Sequence, residues 1–257
     1  MKMFVSERRN IIMKVLKENK RITVKELAKE INVSEATLRT DLNKLEQNGL
    51  LARTHGGAVL NDELGKETNF SVRKLKNKEE KKKISLKALE MVQDKQCILL
   101  DASSTALELA SFIKKQPKQL TVITSGIQTA MELKENPDIT VILIGGVVTK
   151  GSAATEGTLG LNILDYVYID TMFTSPNGFT FESGLTDFNL YEVSLKKEMI
   201  KRANNVITLI DSSKIGTNSS AVFAETDKID TLITDKAVDK ELVEKLQQSG
   251  VNVVIAN

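Results

Sequence analysis

From Ile84 onward the chain alternates between two kinds of segment, and that alternation restricts its fold more than any other feature. Short apolar runs at residues 97–101, 120–124, 139–144, 166–174, 206–210, 231–234 and 251–255 have the length of buried strands. Helical segments are expected near 84–93, 104–115, 126–134, 157–164, 189–202 and 238–247. Strand and helix in turn give an α/β domain with a mostly parallel sheet. In such sheets ligands bind beyond the carboxyl ends of the strands.

Polar or glycine-rich turns stand at five of those ends. The first is Asp101-Ala102-Ser103-Ser104-Thr105, which leaves a strand and opens a helix. Hydroxyls and free amides at a helix N-terminus can hold a phosphate. Thr124-Ser125-Gly126 repeats that arrangement, and Gly145-Gly146 offers close approach where side chains are missing. Ser175-Pro176-Asn177-Gly178 is the fourth, followed by residues 182–187, and Asp211-Ser212-Ser213-Lys214-Ile215-Gly216 is the fifth. Lys214 supplies a cation for an anionic ligand. Singly, each turn could be loop punctuation. Five at successive strand ends point to an anion-binding cleft.

The first 60 residues read differently. A helix is expected from Ser6 to about Asn19, with Ile11, Ile12, Val15 and Leu16 on one stripe. Lys20-Arg21-Ile22 is a short connection. Thr23 caps a second helix, Val24 to Ile31, and Glu26 three residues on completes a capping box. Asn32-Val33 turns into a third helix, 34–46, capped by Ser34. Leu38, Leu42 and Leu45 share its inner face, while Glu35, Ala36, Arg39, Thr40 and Asn43 lie opposite. Short polar groups with one long cation suit a major-groove floor, although an ordinary surface helix would carry a similar pattern. After Asn48-Gly49 stops it, 50–53 and 58–60 form two short strands around the turn Thr54-His55-Gly56-Gly57. Two short helices, a tight turn, a capped helix and a hairpin make a winged helix-turn-helix.

Composition agrees with two domains. At 257 residues with 41% hydrophobic content the chain can bury two cores. Residues 1–60 carry 12 lysines and arginines against 7 acidic residues, and the rest carries 24 against 27. A basic end on a mildly acidic body fits a nucleic-acid-binding module joined to something else. No Trp and 4% aromatic content argue against base stacking as the main activity. Cys97, the single cysteine, sits in an apolar run and reads as a buried reduced thiol. His55, the single histidine, lacks the companions a metal site needs, so no metal and no cofactor are expected. The N-terminus has no long apolar core, and no run approaches the ~18 residues of a membrane span. A cytoplasmic protein without a membrane partner is expected. The basic residues of 61–83, among them Lys66, Arg73 and Lys81-Lys82-Lys83, read as a solvated linker leading into a helix.

Residues 6–60 resemble the winged helix-turn-helix of the DeoR family of bacterial transcriptional regulators. The likeness rests on Glu7-Arg8, Val24-Lys25-Glu26-Leu27-Ala28, Val33-Ser34, Leu38-Arg39, Asp41-Leu42, Leu45-Glu46 and 53–59. The second half is similar to that family's sensor domain, which has the fold of ribose-5-phosphate isomerase. Here the likeness rests on Leu100-Asp101, 105–110, 143–146, Asn177-Gly178, 184–186, Glu192, Lys196 and 211–214. The chain departs from the family at Thr40, where a second Arg is usual, at Ser103-Ser104-Thr105, and at Ser175, where glycine is usual.

The expected organisation is a DNA-binding domain at 1–60, a linker at 61–77 and a sensor domain at 78–257. The resemblance implies a regulator, a repressor of a sugar-utilisation operon, whose affinity for double-stranded operator DNA a phosphorylated sugar modulates. Arg39, Thr40 and Asn43 would read bases, and Ser34, Thr37, Arg53 and Thr54 would position the DNA backbone. The ligand set would be Asp101, Ser103, Ser104, Thr105, Ser125, Gly126, Gly145, Gly146, Asn177, Gly178 and Lys214. Helix-turn-helix geometry adds a homo-oligomer, dimer or tetramer, on repeated half-sites. The competing reading is an enzyme, a phosphosugar isomerase drawing acid–base groups from Asp101, Asp187, Glu192 and Lys214. Fold alone does not carry that function, and no enzyme activity is expected. An architectural DNA-binding protein would leave the strand-end hydroxyls without a purpose.

Overall fold

The computed structural model describes residues 5–19, 21–47, 51–54, 56–59, 70–149, 152–235 and 238–256. The Asn48-Gly49 stop, His55 and linker residues 61–69 lie outside the described residues. The chain divides into two compact units, 1–76 and 77–257.

The first unit contains helices α1 (Val5–Asn19), α2 (Val24–Glu30) and α3 (Glu35–Gln47), and strands β1 (Arg21–Thr23), β2 (Ala52–Thr54) and β3 (Gly57–Val59). Each helix begins where the local chemistry starts it. The Thr23 hydroxyl accepts the Glu26 amide at 3.2 Å, and the Glu26 carboxylate accepts the Thr23 amide at 3.1 Å. That reciprocal pair stabilises the first turn of α2 by about 1 kcal/mol. Asn32, at φ 54°, reverses the chain into α3. Ile12, Leu16, Leu27, Leu38 and Leu42 are fully buried together, the apolar stripes of three helices closing one core. Residues 21–22, expected as a connection, belong instead to a strand, because β3 pairs with both β1 and β2 in an antiparallel order β1-β3-β2. A short helix, α4 (Phe70–Leu75), lies inside the stretch expected to be linker, and its Val72 packs against the same core.

The second unit opens with α5 (Lys78–Leu89) and continues β4 (Cys97–Leu100), α6 (Ser104–Ile113), β5 (Leu120–Thr124), α7 (Ile127–Leu133), β6 (Ile139–Leu143) and β7 (Thr171–Thr174). After β8 (Gly178–Thr180) and β9 (Gly184–Asp187) come α8 (Leu190–Arg202), β10 (Val206–Leu209), β11 (Ala221–Ala224), β12 (Thr231–Asp235), α9 (Lys240–Gln248) and β13 (Asn252–Ala256). Seven strands form one sheet in the order β13-β12-β10-β7-β4-β5-β6, every pair parallel. This is the α/β sheet that the alternating pattern dictates. Successive residues of β4 enter different cores: Ile98 and Leu100 pack with α5 and α6, whereas Leu99 packs with α8 residues Val193 and Met199. Period-two alternation therefore feeds two apolar layers.

Three elements depart from expectation. β8, β9 and β11 form a separate antiparallel sheet in the order β11-β9-β8, which the sequence pattern did not mark. The helix expected at 157–164 is a short 3-10 segment, Leu161–Tyr166. Helix α5 starts at Lys78, not near 84, and the basic run is not uniformly solvated: Lys81 is buried with Ile84, Ser85 and Ala88 on the helix's inner face.

Candidate DNA-binding face and anion-binding cleft

The DNA-binding candidates gather around α3. Ser34 caps the helix, its hydroxyl accepting the Thr37 amide at 3.2 Å and sharing a 2.8 Å hydrogen bond with the Thr37 hydroxyl. That leaves a helix N-terminus with two hydroxyls beside it, a natural seat for a phosphate. Ala36, Arg39, Thr40 and Asn43 are exposed in a row. Arg39 reaches back to Glu35 at 3.2 Å, an exposed i,i+4 pair worth only ~0.3–0.5 kcal/mol, so its guanidinium is easily redirected. The Thr40 hydroxyl donates to the Ala36 carbonyl at 3.1 Å. The Asn43 carbonyl accepts from the Arg53 guanidinium, and the Arg53 amide donates to Glu46 at 2.8 Å. The wing strand is thereby tied to the helix it flanks, with Thr54 exposed beside it.

Sequence reasoning assigned no role to the ion pairs that help seat α3. Asp41 is 2% exposed and accepts from Arg8 Nε at 2.5 Å and Arg9 Nε at 2.9 Å. Both arginines come from α1, so one carboxylate fixes the rotation of the helix about its axis. The signal was present: an acidic residue interrupts the apolar stripe between Leu38 and Leu42.

In the second unit, all five candidate turns leave the carboxyl ends of adjacent strands: β10, β7, β4, β5 and β6. Chain order runs outward in one direction from β4 and in the other from β7, so the topological switch lies between them, where a ligand crevice is expected. At that point Asp101 is fully buried. Its Oδ2 accepts the Thr174 hydroxyl at 2.7 Å and the Ser175 amide at 2.9 Å, and its Oδ1 accepts the Ser103 amide at 3.0 Å. The Thr105 and Ser175 hydroxyls meet at 3.3 Å. Asp101 thus braces the wall of the crevice. Ser103 caps α6 through the Ala106 amide at 3.1 Å, and Ser103, Ser104 and Thr105 are all nearly enclosed.

Behind the wall lies Lys196 of α8. It donates to Asp187 at 2.8 Å and to the Ser175 carbonyl at 3.1 Å, stands 3.2 Å from Asp101, and has the Phe223 ring 4.8 Å away. Burial works against the lysine's charge, but Asp187, Asp101 and Glu192 outweigh it and hold the amine above its usual range. For Asp101 burial likewise raises the carboxyl, yet Lys196 and the hydrogen bonds from Ser103, Ser175 and Thr174 keep it below the usual range.

The remaining candidates spread along the sheet edge. Ser125 is buried, and its carbonyl accepts the Thr155 amide at 2.9 Å, with Gly126 bridged to Ala154. Gly145 and Gly146 are exposed, but the missing side chain at 146 is used by the protein itself: a Cβ there would lie 2.5 Å from the Glu156 carbonyl oxygen. At Gly178 a Cβ would meet the Thr217 carbonyl oxygen at 2.5 Å, and the Asn177 amide donates to Thr186 at 2.9 Å. Both glycines serve chain-on-chain approach, which takes up at position 146 the room that Gly145-Gly146 is expected to leave for a ligand. Lys214 donates to the Pro176 carbonyl at 2.9 Å, joining the β10 turn to the β7 turn, with Asp211 at 3.9 Å. A hollow of about 410 Å³ opens beside the β10 turn, but Glu182, Asp239 and Glu241 outnumber Lys245 on its walls, a poor environment for a phosphate. Among the described residues no cluster of His, Cys, Asp or Glu is arranged to hold a metal, and no helix is long and apolar enough to cross a membrane.

Comparison with known proteins supplies the family. The DeoR-like helix-turn-helix domain model matches residues 8–64, and the DeoR C-terminal sensor domain model matches 76–236. The HTH-type transcriptional regulator GolR of Listeria innocua is 47% identical over 254 residues, 99% of this chain and all of that protein. The HTH-type transcriptional repressor GlcR of Bacillus subtilis is 32% identical over 253 residues, covering 98% and 97%. The L-fucose operon activator of Haemophilus influenzae is 32% identical over 248 residues, covering 96% and 99%. Among solved structures, a D-ribose-5-phosphate isomerase in complex with phospho-erythronic acid aligns with a TM-score of 0.42 and 19% identity over 54% of each chain, too distant to carry an argument. Two family models in the expected order and full-length relatives on both sides lead to one conclusion: the chain belongs to the DeoR family of transcriptional regulators.

Proposed function

We propose that this regulator represses a sugar-utilisation operon and that a phosphorylated sugar, held at the strand-end turns of the second unit, changes its affinity for the operator. The observation that carries the DNA half is the exposed row Ala36, Arg39, Thr40 and Asn43 on a helix whose opposite face is locked by Leu38, Asp41 and Leu42. Arg39, Thr40 and Asn43 read base edges, and Ser34, Thr37, Arg53 and Thr54 fix the phosphate backbone. The effector half is supported by five turns on adjacent strands that straddle the switch point, with Lys214 the cation among them. Among the named relatives, GlcR is a repressor and the L-fucose operon activator acts on a sugar operon. The protein acts as a dimer or tetramer on repeated half-sites about one helical turn apart, works in the cytoplasm and turns over no substrate.

The test is fluorescence anisotropy of the full chain on its own upstream DNA at fixed salt, with a panel of sugar phosphates and their unphosphorylated parents. One phosphorylated sugar shifts the binding curve and its parent does not. Tight DNA binding that nothing in the panel shifts overturns the effector reading. Turnover of an aldose phosphate by the purified protein overturns the non-enzymatic one.

A further inference from the structure

Asn77 is the first residue of the second unit and follows directly on Lys76, where the DNA-binding unit ends. It occupies φ 51° and ψ 47°, a left-handed conformation that few non-glycine residues adopt and that asparagine tolerates best. A residue at a helix start normally sits in the extended region and turns its side chain onto the helix's own free amides. Asn77 does neither.

Its Nδ2 instead donates to Asp211 Oδ1 at 2.8 Å and to Ser213 Oγ at 2.9 Å, and the Ser213 hydroxyl in turn donates to Asp211 at 2.5 Å. One helical turn after Asn77, the buried Lys81 places its charge where it acts on the same carboxylate. Asp211 and Ser213 belong to the β10 turn that carries Lys214. The residue at the root of the sensor is thus held in the left-handed region by two groups of the turn that carries Lys214.

We propose that Asn77 is a latch: the state of the 211–214 turn sets the direction in which the chain leaves residue 77 toward the DNA-binding unit. An anion drawn to Lys214 takes the Ser213 hydroxyl as a donor and swings that exposed side chain away from Asp211 and Asn77, which opens the Asn77–Ser213–Asp211 triangle. Residue 77 then relaxes out of the left-handed region and re-aims the chain at Lys76. Two discrete arrangements of one residue are what a coupling between two sites requires. The inference rests on the effector reading for its biological sense, but the latch itself is testable without any sugar.

The experiment is a double-mutant cycle in the full chain. Asn77→Asp keeps a residue that tolerates the left-handed region but sets a carboxylate against Asp211, and Ser213→Ala removes the second partner. Asn77→Gly guards against misfolding, since it keeps the backbone geometry and deletes only the amide. The readouts are operator affinity by anisotropy and amide hydrogen exchange over 70–76. Each single variant raises exchange at 70–76 and moves the operator Kd in the same direction by about fivefold or more. The Asn77→Gly/Ser213→Ala double variant moves it no further than either single variant. Unchanged exchange and affinity in Asn77→Asp and Asn77→Gly, or effects that add in the double variant, overturn the latch. A panel of hexose and pentose phosphates separates the two claims. If it leaves the unaltered protein's DNA binding unmoved while the cycle is non-additive, the effector reading falls and the latch stands. If it shifts the unaltered protein and Asn77→Gly equally, the latch falls and the effector reading stands.

Discussion

Replacing Lys196 by Met keeps most of the side chain's length and removes its charge. The consequence follows from what the ammonium touches. Asp101 and Asp187 are 0% and 1% exposed, and the lysine lies 3.2 Å from one and 2.8 Å from the other. Without it, two carboxylates face each other across a space that water does not reach, and the Ser175 carbonyl loses a donor. Breaking a buried pair in this way costs about 3–5 kcal/mol, because the abandoned charge is not resolvated. In a domain of this size each kcal/mol moves the thermal midpoint by about 2–4 °C, so the sensor transition falls by about 6–20 °C. Differential scanning calorimetry of the full chain measures it, and the transition of the DNA-binding unit stays where it was. The pH dependence gives an independent check. In the unaltered protein Asp101 is held below the usual carboxyl range, so its contribution is complete above that range and is lost as pH falls through it. In the variant the Asp101 carboxyl, without Lys196, takes up a proton more readily, so the gap between the two proteins narrows from pH 7 to pH 5. On the alkaline side Lys196 contributes no loss over the working range, because its amine is held above lysine's ordinary value. A midpoint within about 3 °C of the unaltered protein at pH 7, or a gap that widens in acid, would refute the pairing argument.

Asp41→Asn leaves Arg8 and Arg9 without their shared carboxylate and costs the DNA-binding unit about 2 kcal/mol, seen as an earlier urea midpoint and weaker operator binding. Arg39→Ala weakens specific binding by about 1–3 kcal/mol and leaves the thermal midpoint unmoved; an unchanged operator Kd removes Arg39 from the reading set. Gly146→Ala forces a Cβ to within 2.5 Å of the Glu156 carbonyl and destabilises the sensor by about 1–3 kcal/mol in chemical denaturation. Burial and the nearby Asp170 charge push the Cys97 thiol up to about 11, so iodoacetamide alkylates it at pH 7.5 roughly two orders of magnitude more slowly than a free thiol.

What the sequence made legible was local. Helices α1 to α3 announce themselves through apolar spacing and through caps, Thr23 with Glu26 and Ser34 with Thr37, that act within one turn. The parallel strands are legible because a strand buried on both faces is apolar throughout. Pairing between distant segments is not legible in the same way. Arg21–Thr23 becomes a strand only because β3 arrives beside it, and β8 and β9 pair antiparallel across a turn without the continuous apolar runs that mark the parallel strands. The positions of the hydroxyl-bearing turns could be read, since they follow strand ends. The directions of their side chains could not. Asp101 turns inward because Lys196, far along the chain, waits behind it, and Lys81 hides in a run of three lysines because the helix begins earlier than the apolar spacing suggests. Cys97, read as buried, is only half-buried.

In α3 the positions that anchor the helix and those that face outward are interleaved but distinct. Leu38, Asp41, Leu42 and Leu45 are committed to the interior. Residues 36, 39 and 40 are exposed, and the hydrogen bonds of Arg39 and Thr40 run to Glu35 and Ala36 of the same helix. A gene duplicate could therefore exchange those three side chains and acquire a new operator at almost no thermodynamic cost. Position 43 is the exception. Its amide holds Arg53 on the wing, so under the proposed DNA-binding reading a change there retunes two contacts at once, and new specificities at 43 should arise in step with position 53.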